Sequence, residues 1–151
     1  MMIETEPAPR TRADSQSASG LKLRSIFRDG SGDIHLDWPG SRLAEAIGDH
    51  DGTLWVDLEN PDESSLEQAE ALLRTTFGFH PLAVEDALQE SHIPKIDDWG
   101  EYIYLVFHGT SLDSAGDELK LHELDVFLGP NFLVTYHAGP LSFLDQDRRG
   151  T

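Results

Sequence analysis

Hydrophobic positions along the chain change period several times, and each change marks an element. Residues 1–20, MMIETEPAPRTRADSQSASG, hold no periodic apolar positions and are rich in Ser, Ala, Pro and Thr. That composition predicts a disordered tail ahead of a domain spanning 21–151. A strand is expected at about Leu21 to Phe27 and a short one near Ile34 to Leu36, with the turn signal DGSGD between them. Asp29, Ser31 and Asp33 alternate like the start of a calcium loop, but Ile34 stands where that loop needs glycine and Gly40 where it needs an acid. The turn reading therefore wins. Leu43, Ala46 and Ile47 follow Pro39 at helical spacing and predict a short helix ending near Gly48.

TLWVDLENP reads as a buried strand running into a loop. Next comes a helix with Asn60 as its N-cap, Pro61 in first position, Glu63 three residues after the cap, and Leu66, Ala69, Leu73 and Phe77 along one face, closed by Gly78. His80-Pro81 starts a second helix that runs to about Glu90, with Val84 and Leu88 on its buried side and Pro94 beyond its end. Tyr102 to His108 is apolar at both odd and even positions, as a central strand covered on both faces requires. DSAGDE is a turn, Leu119 to Leu128 and Phe132 to His137 are strands, and GPN joins them as a tight hairpin. Pro140 to Asp147 has the start of a further helix. Helices interleaved with strands, then a meander, predict an α/β fold: an α/β/α layered domain with a mixed parallel/antiparallel sheet.

Length adds that 151 residues suit one domain rather than two. Charge changes the picture more. Asp and Glu number 28 against 11 Lys and Arg, a formal net charge of -17, so the surface repels phosphate backbones and gathers cations. Nucleic acid is excluded as a natural partner. The absence of cysteine removes disulfides, thiolate metal sites and a thiol nucleophile. Tyr102 to Phe107, the longest apolar run, falls far short of the roughly 20 residues that cross a bilayer, so this stretch of chain is expected to be soluble.

Glu85 and Asp86 are the conspicuous candidates for chemistry. Neighbours on a helix point about 100° apart, so they do not converge on one atom as an acid/base pair must. With His80 as cap they fall in about the first turn, where the helix dipole favours carboxylates; cation ligation is the competing reading. His92, His108, His122 and His137 raise a zinc hypothesis, but none pairs with another at the spacing that puts two ligands on one face of an element. Glu123 and Asp125 share one strand face and could offer two carboxylates, with His122 on the other face. No phosphate loop, nucleophile elbow or dinucleotide fingerprint is present, and a metal-dependent hydrolase lacks convergent ligands. Dispersed hard acids suit Mg²⁺ or Ca²⁺ better than Zn²⁺, and a hydrated ion is held best when a second copy of the chain adds carboxylates.

The run HPLAVEDAL at 80–88, Pro94-Lys95, YIYLVFH at 102–108 and ELDVFLGPNFLVTYH at 123–137, preceded by LWVDLENP at 54–61, resembles the N-terminal cytosolic domain of the CorA family of divalent-cation channels. The resemblance implies an α/β/α domain on the cytoplasmic side of the cell membrane, whose parent continues into a stalk and two membrane helices with a Gly-Met-Asn pore motif. It implies assembly as a pentamer of identical chains that conducts Mg²⁺, with a zinc-handling branch. It also implies that Mg²⁺ between neighbouring cytosolic domains favours the closed channel, with Glu85 and Asp86 as metal ligands. The expectation is a non-catalytic Mg²⁺-sensing domain that does not itself conduct; the alternative is a non-sensing scaffold of a zinc- or other cation-transporting relative. Gln89, Glu90, His92 and Ile93 stand where the family often has asparagine, glutamine and arginine, so local contacts differ and His92 leaves room for zinc.

Overall fold

Branched and aromatic side chains at every second position build one sheet of seven strands: β1 (Lys22–Arg28), β2 (Ile34–Leu36), β3 (Thr53–Glu59), β4 (Lys95–Asp98), β5 (Ile103–Leu112), β6 (Leu119–Leu128) and β7 (Phe132–His137). The structure, a computed structural model, describes residues 20–90, 93–112, 115–116 and 118–141. The strand order is β2-β1-β3-β7-β6-β5-β4. β3 and β7 run parallel, while the other neighbours are antiparallel, so the sheet is mixed as expected. The tail expected over 1–20 and the helix expected from Pro140 fall almost wholly outside the described residues.

Three helices follow the apolar spacing: α1 (Leu43–Gly48), α2 (Leu66–Ala71) and α3 (Pro81–Leu88). Leu43 and Ala46 of α1, Ala69 of α2, and Ala83, Val84 and Ala87 of α3 join one buried cluster with Leu54, Val56, Leu58, Tyr104, Phe127 and Val134 of the sheet. These strand residues share one face, so every described helix packs on that face. Each such fully buried Leu or Val contributes about 1.5–3 kcal/mol over an exposed one. On the opposite face Ile96, Ile103, Phe107 and Leu128 are exposed. The second helical layer of an α/β/α arrangement is thus not among the described residues, and β5 is apolar on both faces but covered by described helix on one.

Local chemistry sets the joints. Asp62 and not Asn60 caps the helical stretch, accepting from the Ser64 backbone N–H and opening a 3₁₀ turn over Glu63–Ser65 that leads into α2. Asn60 lies inside, donating from Nδ2 to the Tyr136 hydroxyl at 2.9 Å. A π-helical turn over Leu72–Thr76 continues α2, and Gly78 then takes φ +71°, a left-handed conformation that glycine adopts without a Cβ penalty. That reversal sends Phe79 into the core, stacked on Phe127 at 4.2 Å between ring centres. The DGSGD segment is the expected turn: Asp29 accepts from the backbone N–H groups of Ser31 and Asp33, and its second oxygen lies 2.8 Å from His35 Nε2.

Candidate functional site

α3 carries both candidate acids. His80 caps it, its Nδ1 accepting from the Leu82 N–H at 3.0 Å, and Pro81 supplies a first residue with no donor to leave unpaired. Ala83, Val84 and Ala87 fix the buried side, which leaves Glu85 exposed and Asp86 half-buried at the rim. The first turn contains no acid, because the helix begins at Pro81 and the pair sits in its second turn. The helix-dipole explanation for the two carboxylates therefore fails: the favourable field is confined to the first turn.

What holds Asp86 is Lys95. Lys95 lies on β4 opposite Val106, with its side chain toward the helices, and its Nζ donates to Asp86 Oδ2 at 2.6 Å. The same ammonium stands 3.2 Å from Asp97 Oδ2 and 5.7 Å from the centre of the Tyr104 ring. The Asp86 hydrogen bond lifts the Lys95 pKa above its ordinary value, against the opposing effect of burial, and Asp97 adds to the rise. About two fifths of the Asp86 side chain and a third of that of Lys95 remain exposed, so solvent screens the pair and both groups stay reachable.

Behind the pair lies a network that strand periodicity reads as solvated. Glu123 and Asp125 do share a face of β6, with His122 opposite, but that face is the helix-covered one. Asp125 is buried and accepts from the Tyr104 hydroxyl. Burial, then the hydrogen bond with Glu123, pushes the Asp125 pKa up to about 9, against a smaller lowering by Tyr104. At neutral pH Asp125 is therefore a neutral acid sharing its proton with Glu123, not half of a carboxylate pair awaiting a cation. His108 Nε2 lies 3.4 Å from Glu123 Oε1.

The histidines stay apart. His122 Nε2 meets Ser111 Oγ at 2.7 Å, whereas His137 is buried on the far side of the sheet between Asp57 and the Gly139 carbonyl. His92 lies outside the described residues. Among the described residues no group of three or more His, Asp or Glu side chains could hold a metal ion by direct ligation. The arrangement on α3 therefore offers an accessible carboxylate, Glu85, beside a second, Asp86, that already binds an ammonium: half a cation site, completed only by groups from elsewhere.

The family model for CorA-like Mg²⁺ transporter proteins matches residues 50–149, which takes in both acids, Lys95 and every strand from β3 to β7. This chain belongs to the CorA-like family. YfjQ of Bacillus subtilis, a protein named as a metal ion transporter, is 39% identical to it over 83 residues, 55% of this chain and 24% of YfjQ. The magnesium transporter ALR1 of Saccharomyces cerevisiae is 24% identical over 112 residues, 73% of this chain and 12% of ALR1. The CorA-like chain thus spans a minor part of the relatives it matches. Full-length CmaX superposes with a TM-score of 0.62 at 20% identity, over 85% of this chain and 38% of CmaX. The soluble domain of CorA from Methanocaldococcus jannaschii does so with 0.57 at 12% identity, over 85% of this chain and 45% of that domain. At those identities the agreement is one of fold.

Proposed function

We propose that this CorA-like chain is a cytosolic regulatory domain of a divalent-cation transporter, sensing Mg²⁺ through Glu85 and Asp86 where neighbouring copies, or the stalk and membrane segments of the parent protein, bring further ligands. The observation that carries the reading is the Asp86–Lys95 contact at the open rim of α3. A carboxylate that holds an ammonium at the surface can exchange it for a hydrated dication, and the exchange releases Lys95 to reorganise. Mg²⁺ keeps most of its waters and needs only one or two carboxylates from each contributor. Bound between copies, it also removes the repulsion between two surfaces that are each strongly negative. Such an ion shifts a two-state assembly by as much as it prefers one state. Zn²⁺ fits this all-oxygen set less well.

Calorimetry and light scattering during a Mg²⁺ titration of the chain test the reading, with NaCl of equal ionic strength as reference. Mg²⁺ at ten times its Kd is expected to stabilise the fold by about 1.4 kcal/mol beyond the NaCl reference, and Glu85→Ala and Asp86→Ala are each expected to diminish that increment. An increment untouched by both substitutions removes the pair from the site. A second reading is a non-sensing scaffold of a cation-transporting relative, favoured by the same Lys95, which leaves Asp86 neutralised without a metal. Equal melting temperatures in Mg²⁺ and NaCl select it.

A further inference from the structure

A cleft of about 590 Å³ opens where the parallel strands β3 and β7 end, between the start of the α2 helical stretch and the end of α3. Asn60 and Tyr136 line it from the sheet, Leu66, Ala87 and Leu88 from the helices, and Glu63, Glu90 and Glu123 bring acids to it; no described Lys or Arg does. Crevices at the carboxyl ends of parallel strands are where open α/β sheets bind ligands. Neither Glu85 nor Asp86 lines this one.

The acids alone would be a solvated cluster. Asn60 makes the difference. It is 6% exposed, its Nδ2 is spent on Tyr136, and its Oδ1 is buried with no donor. An unpaired buried acceptor is costly to keep, and native structures keep few of them. The walls carry a second requirement, because Leu66, Ala87 and Leu88 give half of the cleft an aliphatic character. Beyond the main effect of burial, Glu90 raises the pKa of both Asp125 and Tyr136, so the interior of the cleft is at negative potential.

We propose that this cleft binds a primary ammonium on an aliphatic chain, with N–H donors directed to Asn60, Glu90 and Glu123 and methylenes against Leu66, Ala87 and Leu88. An ammonium presents three donors in different directions, suited to acceptors that arrive from β3, α3 and β6; a guanidinium fork lies in one plane. A bare dication lacks the directly ligating group of three that it needs. A hydrated one leaves the aliphatic wall uncovered. The ligand class is therefore that of a linear polyamine or a lysine side chain, separate from the Mg²⁺ reading of α3.

Putrescine is the probe, titrated into the isotope-labelled chain at about 0.15 M NaCl, where the Debye length is about 8 Å and diffuse attraction is screened. Saturable amide and methyl shifts are expected at Leu66, Ala87 and Leu88, with none from tetramethylammonium, which has no N–H donor. Glu90→Gln is expected to weaken putrescine about tenfold, as loss of one hydrogen bond to a charged group implies. Glu67→Gln makes the same charge change away from the cleft and should leave the affinity unchanged. Equal weakening by both substitutions, shifts scattered over surface acids, or identical localised shifts with tetramethylammonium would show a diffuse counter-ion and overturn the proposal. Identical saturable shifts with MgCl₂ would overturn it too, assigning the cleft to a hydrated dication.

Discussion

Asp125 is the residue whose environment departs furthest from what its side chain prefers. It occupies a core position of β6, register partner of Val106 and Tyr136, and stays there because it is protonated. Its folded pKa of about 9 stands above the model value of 3.8, so the native state holds a proton that the unfolded chain releases as pH rises. Stability is then full below the unfolded pKa and falls across the window from about pH 4 to 9, with a slope that approaches about 1.4 kcal/mol per pH unit for one proton. Asp125→Asn supplies the same donor and acceptor without the titration. Urea midpoints measured from pH 5 to 9 should fall less steeply for Asp125→Asn than for the wild type, and equal slopes would place the proton elsewhere. At the surface the competition at Asp86 makes a different prediction. Lys95→Gln removes the resident cation, and Mg²⁺ affinity in the melting assay should rise by up to about fivefold, the worth of an exposed ion pair of ~1 kcal/mol. A fall in affinity would instead make Lys95 a support of the site.

Elements divide into those that periodicity reveals and those that partners decide. β6 and β7 match their expected bounds residue for residue, because branched and aromatic runs bounded by Gly-Pro-Asn leave no other pairing open. β4 was not legible: its one apolar residue, Ile96, faces outward, and its pairing with β5 comes from Asp98 to Lys95 lying opposite Ile103 to Val106. The cap of the α2 stretch was misread for a related reason, since Asn60 and Asp62 both suit a cap and only the Tyr136 contact separates them. The position of Glu85 and Asp86 was visible in sequence, but the Lys95 that governs Asp86 comes from another layer. Likewise Asp57 and His137 join β3 to β7 across 80 residues of sequence. Burial lowers the His137 pKa, yet the Asp57 hydrogen bond and charge outweigh it, so the net shift is upward and the ring is charged over a wider pH range. This stabilisation is fully present below the unfolded histidine pKa and is lost as pH rises through the folded one. Asp57→Asn should therefore cost about 1–3 kcal/mol at pH 5.5 and less at pH 9, read from urea midpoints. A cost independent of pH would mean that the ring is neutral throughout.

At the scale of the molecule, charge and apolar surface oppose each other. A formal charge of -17 keeps copies apart. The sheet face away from the helices nevertheless exposes Ile96, Ile103, Phe107 and Leu128, while Lys22, Arg24, Arg28 and Lys120 stand on the same side of their strands, so this face lacks the dense negative charge of the helical side. Repulsion between copies acts through solvent and weakens as salt shortens the Debye length from about 30 Å at 0.01 M to about 3 Å at 1 M. The attraction of apolar surface for apolar surface survives that change. Raising NaCl should therefore drive association of the 151-residue chain, opposite to the response of an interface built on ion pairs. Phe107→Lys together with Leu128→Lys should abolish the salt-driven rise in light scattering, while Leu112→Lys with Leu119→Lys, equally charged and equally exposed but on the other side of the β5–β6 hairpin, should leave it. If both pairs act alike, net charge alone governs association. If dye binding to apolar surface is also unchanged by the first pair, the face is already covered in solution.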